Sequence, residues 1–122
     1  MFENELIRVE IEASEVPWLK IFTQLKRKEF SECTFDEKRT IFEALDIIEK
    51  EMLFYYQPTK INIASFGNYV PLVHWHIMAR FNEDSFFPEP MWGSKQREAS
   101  LSLPSFEVFC EEVNLKLAQC LV

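Results

Sequence analysis

Two histidines and an arginine lie at alternate positions of one largely apolar segment, and their types and spacing suggest chemistry. They are His74, His76 and Arg80, and the chain has no other histidine. If the segment is a β-strand, side chains two residues apart share a face. The two imidazoles then lie roughly 6–7 Å apart along the strand, with Arg80 further along the same face. Imidazoles and a guanidinium in a row suit an anionic ligand such as a phosphate.

Two other interpretations of the His-x-His pair stay open at this point. The pair can lie on the surface without a function, or lie in the core with its ring nitrogens hydrogen-bonded, because so short a motif also occurs by chance. It can also supply two ligands to a metal ion, but a metal site needs a third, and cysteine or carboxylate ligands could come only from remote positions. We therefore expect no metal and no other cofactor.

The elements around this segment must form the surface that positions it. Residues 6–12 alternate apolar and polar side chains, which is typical of a half-buried strand, and residues 18–24 predict an antiparallel partner for it. Residues 60–65 predict another strand, and residues 70–81 predict the longest one. In that longest strand, an apolar face that should pack on a helix carries Val73, Trp75, Ile77 and Ala79, and the other face carries Leu72, His74, His76, Met78 and Arg80.

Two helices complete the predicted pattern. The first begins at Thr34, three residues before Glu37, which is the spacing of a capping box, and it ends before Pro58. The second extends from about Ser105, its candidate N-cap, to Cys120. The order strand, strand, helix, strand, strand, helix predicts an α+β fold with a mainly antiparallel sheet and two principal helices.

Length and composition limit the class of protein. The chain has 122 residues, 48% of them hydrophobic, which is enough for one domain with a real core and too little for two ordinary domains. A net charge of -7 argues against binding to a nucleic-acid backbone, but it does not exclude a small anionic ligand. No apolar run approaches the ~20 residues of a membrane span, and the acidic N-terminus lacks the features of a signal peptide. With three widely spaced cysteines, these features predict a cytoplasmic protein with reduced thiols.

Residues 62–80 read Asn-Ile-Ala-Ser-Phe-Gly-Asn-Tyr-Val-Pro-Leu-Val-His-Trp-His-Ile-Met-Ala-Arg, and residues 87–93 read Phe-Pro-Glu-Pro-Met-Trp-Gly. These segments resemble the histidine-triad (HIT) family, above all a bacterial branch related to diadenosine polyphosphate hydrolases. That branch typically reads Asn-x-Ala-x-x-Gly-Asn-x-Val-Pro-His-x-His-Trp-His-Val-x-Pro-Arg and then Phe-Pro-x-Pro-x-Trp-Gly. Upstream, residues 17–19 are similar to the Pro-Trp-x of its second strand. The resemblance, which is looser over residues 6–60, implies a single HIT-like domain over residues 1–122.

The resemblance implies nucleotide chemistry. His74 matches the family's nucleophile, which attacks the α-phosphorus of a nucleotide and forms a covalent nucleotidyl-histidine that water then resolves. His76 matches the histidine that contacts phosphate oxygens or the leaving group. Asn68 can also serve only the turn after Gly67, and Asn62 can cap a strand edge. The residues predicted to bind nucleotide or phosphate are Asn62, Asn68, Tyr69 and Arg80.

Three residues depart from the family pattern close to this chemistry. Leu72 stands where the first histidine of the triad is expected, so the triad is incomplete, and leucine cannot donate, accept or move a proton. Ala79 replaces the proline before the arginine. Glu12 stands near the place of an asparagine that contacts the sugar. It would bring a negative charge near a phosphate unless it points away or pairs the ribose hydroxyls.

The resemblance implies a hydrolase or nucleotidyl transferase that acts on a dinucleoside polyphosphate or a nucleoside phosphoramidate through a nucleotidyl-His74 intermediate. The alternative is a protein that binds a nucleotide or a partner on the same scaffold without catalysis. The resemblance also implies a homodimer. The aromatic residues that give apolar surface for a partner to cover include Phe86, Phe87, Trp92 and Phe106.

Overall fold

Four antiparallel strands form one sheet in the computed structural model of the protein, which describes residues 1–121. Their order across the sheet is β1-β2-β4-β3, so β4 has a neighbour on both sides. This arrangement confirms the predicted antiparallel sheet. The strands are β1 (Ile7–Ile11), β2 (Trp18–Thr23), β3 (Lys60–Ala64) and β4 (His74–Arg80).

Both predicted helices are present with the predicted caps. The hydroxyl of Thr34 accepts from the backbone N–H of Glu37 at 3.1 Å, and the Glu37 carboxylate accepts from the backbone N–H of Thr34 at 2.7 Å. This pair is the capping box. Ser105 caps the second helix by accepting from a backbone N–H at 3.3 Å. The helices are α1 (Phe35–Tyr56) and α2 (Phe106–Cys120), and a 3-10 turn at Phe30–Glu32 precedes α1.

The core lies between one face of the sheet and α1, and α2 packs against α1. Strand alternation turns Ile7 and Val9 inward from β1, and Ile77 and Ala79 inward from β4. The helical period turns a stripe of α1 toward these side chains. The fully buried residues of that stripe are Ile41, Ala44, Ile48 and Met52. Neither helix within residues 1–121 has the length and apolar character that a bilayer crossing requires.

Strand β4 begins at His74, whereas the sequence predicts a start at Val70. Pro71 has no backbone N–H, and the N–H of Leu72 bonds to the carbonyl of Val70 at 2.8 Å within the loop. The N–H of Val73 bonds to the carbonyl of Arg27 at 2.7 Å. These groups are therefore not free for the ladder, and Leu72 lies outside the strand that carries the histidines.

Candidate active site

The face of the sheet turned away from α1 carries the two histidines. Lys20 of β2 stands directly opposite His76 of β4, and Phe22 stands opposite His74. Directly opposed residues on one face of an antiparallel pair have Cβ atoms about 5 Å apart, so these four side chains meet. The imidazole centroids of His74 and His76 lie 4.9 Å apart. The structure therefore confirms that both histidines share one face.

A cavity of about 440 Å³ opens above this face. Its volume falls within the range of about 300–1,000 Å³ that small-molecule sites occupy. Strands β2 and β4 form its floor, and a loop and a tryptophan form its walls. The lining consists of Glu12, Lys20, Phe22, residues 66–70, His74, His76 and Trp92.

His74 is held with one ring nitrogen occupied and the other free to react. Its Nδ1 lies 2.7 Å from the carbonyl oxygen of Leu72. A carbonyl only accepts, so Nδ1 carries a proton, and in the neutral imidazole Nε2 therefore carries the lone pair. Phe22 stacks on the imidazole with a centroid distance of 4.7 Å, and the Ser65 hydroxyl donates to the His74 carbonyl at 2.7 Å. Both the ring and its backbone are thereby fixed.

His76 is buried between two indole rings. The Nε1–H of Trp18 donates to His76 Nδ1 at 3.0 Å, and the Trp92 ring meets the imidazole edge-on at 4.9 Å. Burial, followed by the neighbouring imidazole of His74 and the ammonium of Lys20, lowers the pKa of His76 to about 4. His76 is therefore a neutral imidazole at pH 7.

Lys20 and Glu12 form an ion pair in the lining of the cavity. The Lys20 ammonium lies 2.9 Å from the Glu12 carboxylate, and the two side chains are 21% and 38% exposed. The negative charge expected near the ligand is thus present, but a cation partly offsets it. Among the side chains that line this cavity, Lys20 supplies the positive charge that an anionic ligand needs.

Arg80 lies on the same sheet face, but the structure does not bring it to the cavity. Its side chain is 1% exposed, and Nε and Nη2 donate to the two carboxylate oxygens of Asp84 at 2.9 and 3.0 Å. Nη1 donates to Oδ1 of Asn62 at 2.8 Å, and Nη2 also donates to the carbonyl of Glu89 at 2.7 Å. Because its donors are directed at protein groups, Arg80 anchors structure here, in contrast to the predicted phosphate contact.

The ion pair of Arg80 and Asp84 fixes the loop that delivers Trp92. Besides Arg80, the Asp84 carboxylate accepts from the backbone N–H groups of Phe81, Phe86 and Phe87 at 2.8–3.0 Å. Burial alone would raise the pKa of Asp84, but the guanidinium and these N–H groups outweigh it and lower that pKa to about 2. The carboxylate therefore stays charged, and the ordered loop places Trp92 against Trp18 at 5.2 Å.

The other predicted site residues divide between the cavity and its surroundings. Asn68 and Tyr69 line the cavity on the loop after Gly67, whose φ of +72° is a left-handed conformation that favours glycine. Asn62 does not line it; its amide oxygen is held by Arg80. Leu72 lines a separate cavity of about 210 Å³, so only its carbonyl serves His74.

Sequence reasoning does not assign five side chains to the site around the histidines, although Trp18 and Trp92 stand in segments that carry the family resemblance. Strand parity could have indicated the three on β2, because every second side chain within residues 18–24 lies on the same face. For the two on loops, no periodic signal existed. The five are Trp18, Lys20, Phe22, Phe66 and Trp92. Within residues 1–121, no three His, Cys, Asp or Glu side chains group so that they could hold a metal ion.

No protein-family model and no curated protein matches the chain, whereas several solved structures do. A histidine triad protein from Bradyrhizobium japonicum has a TM-score of 0.72 and 23% identity, covering 96% of this chain and 85% of that one. A histidine triad protein from Marinobacter aquaeolei VT8 has a TM-score of 0.70 and 23% identity, covering 96% and 83%. One from Sinorhizobium meliloti 1021 has a TM-score of 0.69 and 23% identity, covering 93% and 82%.

The chain has the histidine-triad fold. The α+β architecture predicted from the sequence is thereby confirmed. In this histidine-triad fold, the cavity lies on the side of the sheet that α1 and α2 leave open, with both histidines on the central strand β4.

Proposed function

We propose that this protein is a nucleotide hydrolase or nucleotidyl transferase that acts on a dinucleoside polyphosphate or a nucleoside phosphoramidate. One observation carries the proposal: His74 lines a ligand-sized cavity with Nδ1 bonded to a carbonyl and its lone pair on Nε2. A neutral imidazole nitrogen in that state is a nucleophile. The resemblance of residues 61–93 to HIT proteins and the shared fold support the same reaction class.

The reaction proceeds by two displacements at the α-phosphorus. First, the Nε2 lone pair of His74 forms a P–N bond as the bond to the leaving group breaks, and the leaving group departs with the electron pair and takes up a proton. The Leu72 carbonyl, which accepts from Nδ1–H, favours the positive charge that the ring gains. Water then attacks phosphorus, a P–O bond replaces the P–N bond, the water's proton is released, and Nε2 recovers its lone pair.

Substrate binding is assigned to groups around the histidines. The Lys20 ammonium attracts the phosphate, and Asn68 and Tyr69 with the turn N–H groups hold it from the loop. The Phe66 and Trp92 rings, whose centroids lie 4.8 Å apart, supply apolar surface for the nucleoside. Asn62 is assigned no ligand contact, because it does not line the cavity and its amide oxygen accepts from Arg80.

The test compares wild type with His74→Ala on diadenosine polyphosphates and on an adenosine phosphoramidate, following nucleotide release by chromatography. We expect release by wild type and loss of it in His74→Ala, because the nucleophile is removed. His76→Gln serves as the matched control: it should turn over slowly but still trap a covalent nucleotidyl adduct, since His74 remains. Far-UV circular dichroism confirms that both variants fold. Equal turnover by His74→Ala would eliminate the mechanism.

The second candidate is a protein that binds nucleotides or a partner without catalysis. It is favoured by Leu72, whose side chain lines another cavity, so that the first position of the triad offers no proton-transfer group. Calorimetry with adenosine monophosphate distinguishes the two. Binding without nucleotide release and without a covalent adduct supports this candidate, and absence of any binding would leave a purely structural or interaction role.

We further propose that the protein is a homodimer. The apolar surface that supports this lies elsewhere than the sequence suggests: Phe86 and Phe87 are partly buried, and Trp92 serves the cavity. On the helical side, Phe35 and Phe42 are 76% and 49% exposed along a groove of about 920 Å³. Light scattering at micromolar concentration should give the mass of two chains, and a mass of one chain contradicts the proposal. We also propose a cytoplasmic location, which three free cysteines support.

A further inference from the structure

The indole of Trp18 determines which nitrogen of His76 carries the proton. Trp18 Nε1 lies 3.0 Å from His76 Nδ1, and each residue is 9% exposed. An indole N–H can only donate, so Nδ1 of His76 must accept. In the neutral imidazole the single proton therefore sits on Nε2, which is the ring nitrogen that Trp18 leaves unused.

We propose that Trp18 is a positioning residue that holds His76 as a neutral Nε2–H donor for a phosphate or leaving-group oxygen in the cavity. The identity of that acceptor rests on the proposed function. The tautomer itself rests only on the hydrogen bond to Trp18.

The two histidines of the cavity then have opposite tautomers. A carbonyl accepts from Nδ1–H of His74, which leaves a lone pair on Nε2. An indole donates to Nδ1 of His76, which leaves an N–H on Nε2. One ring thus offers a nucleophile and its neighbour offers a hydrogen-bond donor, with centroids 4.9 Å apart. A nucleophilic displacement at phosphorus needs both functions, because negative charge on the phosphate oxygens must be stabilised while the lone pair attacks.

The surroundings of His76 keep it in this form. Trp92 packs against both rings, with ring centroids 5.2 Å from Trp18 and 4.9 Å from His76. The titratable groups that face the imidazole are His74 from β4, Lys20 from β2 and Glu12, which directly follows β1. His74 and Lys20 oppose a second proton on the ring, and Glu12 favours one; burial is the largest influence and also opposes it.

The tautomer can be read directly by long-range ¹H–¹⁵N correlation spectra of the imidazoles at pH 7. In wild type we expect a pyridine-like Nδ1 and a pyrrole-like Nε2 for His76, and the neutral form of His74 should show the reverse. In Trp18→Phe, which keeps an aromatic ring but removes the donor, His76 should show mixed tautomers. Its pKa should rise by about one unit, since a hydrogen bond to the neutral form is lost.

The matched control is Trp92→Phe, which removes an indole that touches His76 but leaves the Trp18 hydrogen bond in place. Its His76 should keep the wild-type nitrogen shifts. A pyrrole-like Nδ1 on His76 in wild type, or unchanged His76 shifts in Trp18→Phe, would overturn the proposal. The wild-type spectrum needs no variant, so a failure of Trp18→Phe to fold does not block the test.

Kinetics then connect the tautomer to the proposed function. We expect Trp18→Phe to lower kcat about tenfold and to change KM less, because the lost Nε2–H bond serves the transition state. An unchanged kcat together with the altered spectrum would overturn the donor role. If wild type releases no nucleotide while its spectrum shows the Nε2–H tautomer, the proposed function fails and the assignment of the tautomer stands.

Discussion

Asp84→Asn tests whether the buried ion pair with Arg80 stabilises the histidine-triad fold and its loop. The carboxylate accepts from two guanidinium nitrogens and from three backbone N–H groups, and its side chain is fully buried. The amide of asparagine turns an NH₂ group toward these donors and leaves a buried guanidinium without its counter-charge. Breaking a buried pair in this way costs about 3–5 kcal/mol of the free energy of unfolding.

Urea unfolding followed by circular dichroism measures this loss, and tryptophan fluorescence reports on the loop that carries Trp92. A loss of this size is a large part of the ~5–15 kcal/mol that stabilises an ordinary domain, and it should lower Tm by roughly 12–20 °C. The matched control is Asp46→Asn, which removes another Asp–cation pair four residues apart, to Lys50 at 2.7 Å. Both of those side chains are more than half exposed. We therefore expect a loss below about 0.5 kcal/mol there.

The stabilisation by Asp84 should also depend on pH, and its folded pKa determines the direction. Because the folded pKa of Asp84 lies at about 2, below its ordinary 3.8, its stabilisation is complete above pH 4 and is lost as pH falls toward 2. The difference in pKa corresponds to about 2 kcal/mol. The difference in the free energy of unfolding between wild type and Asp84→Asn should therefore become smaller as pH falls from 4 to 2. This reasoning would be refuted if Asp84→Asn lowered the free energy of unfolding at pH 7 by less than about 1 kcal/mol. It would also be refuted if the difference in that free energy from wild type grew toward pH 2.

Three further predictions concern other parts of the molecule. Glu12→Gln should tighten the binding of adenosine monophosphate severalfold and Lys20→Met should weaken it severalfold, as measured by calorimetry; changes of the same sign would contradict a charge effect. Thr34→Ala should lower the free energy of unfolding by about 1 kcal/mol through loss of the α1 cap, measured in urea. Because folding lowers the pKa of His76 to about 4, this imidazole binds a proton in the unfolded chain at a higher pH than in the folded chain. Wild type should therefore lose up to about 3 kcal/mol of stability between pH 6.5 and 4, and a flat profile there would count against the burial of this imidazole.

Local patterns in the sequence were enough to predict the strands and helices and to predict that the two histidines share one face of the sheet. The capping box of Thr34 and Glu37 and the N-cap Ser105 act within one helical turn, so residue spacing determines them. Strand alternation is equally local, and it placed His74 and His76 together because a period of two leaves no other choice. The same alternation overestimated β4 at its start, where Pro71 and the loop hydrogen bonds compete with the ladder.

Tertiary structure alone decided what surrounds those histidines. The Arg80 guanidinium donates to Asp84 and is not available to the cavity. Strand parity cannot predict this ion pair, because the carboxylate lies on a loop. Trp18 and Lys20 reach β4 only through the register between β2 and β4, which depends on packing of the whole sheet. The sequence by itself therefore determined that two imidazoles share a face. Contacts between distant segments decided which nitrogen each imidazole presents and which charges stand beside it, because hydrogen-bond partners and burial are properties of the assembled fold.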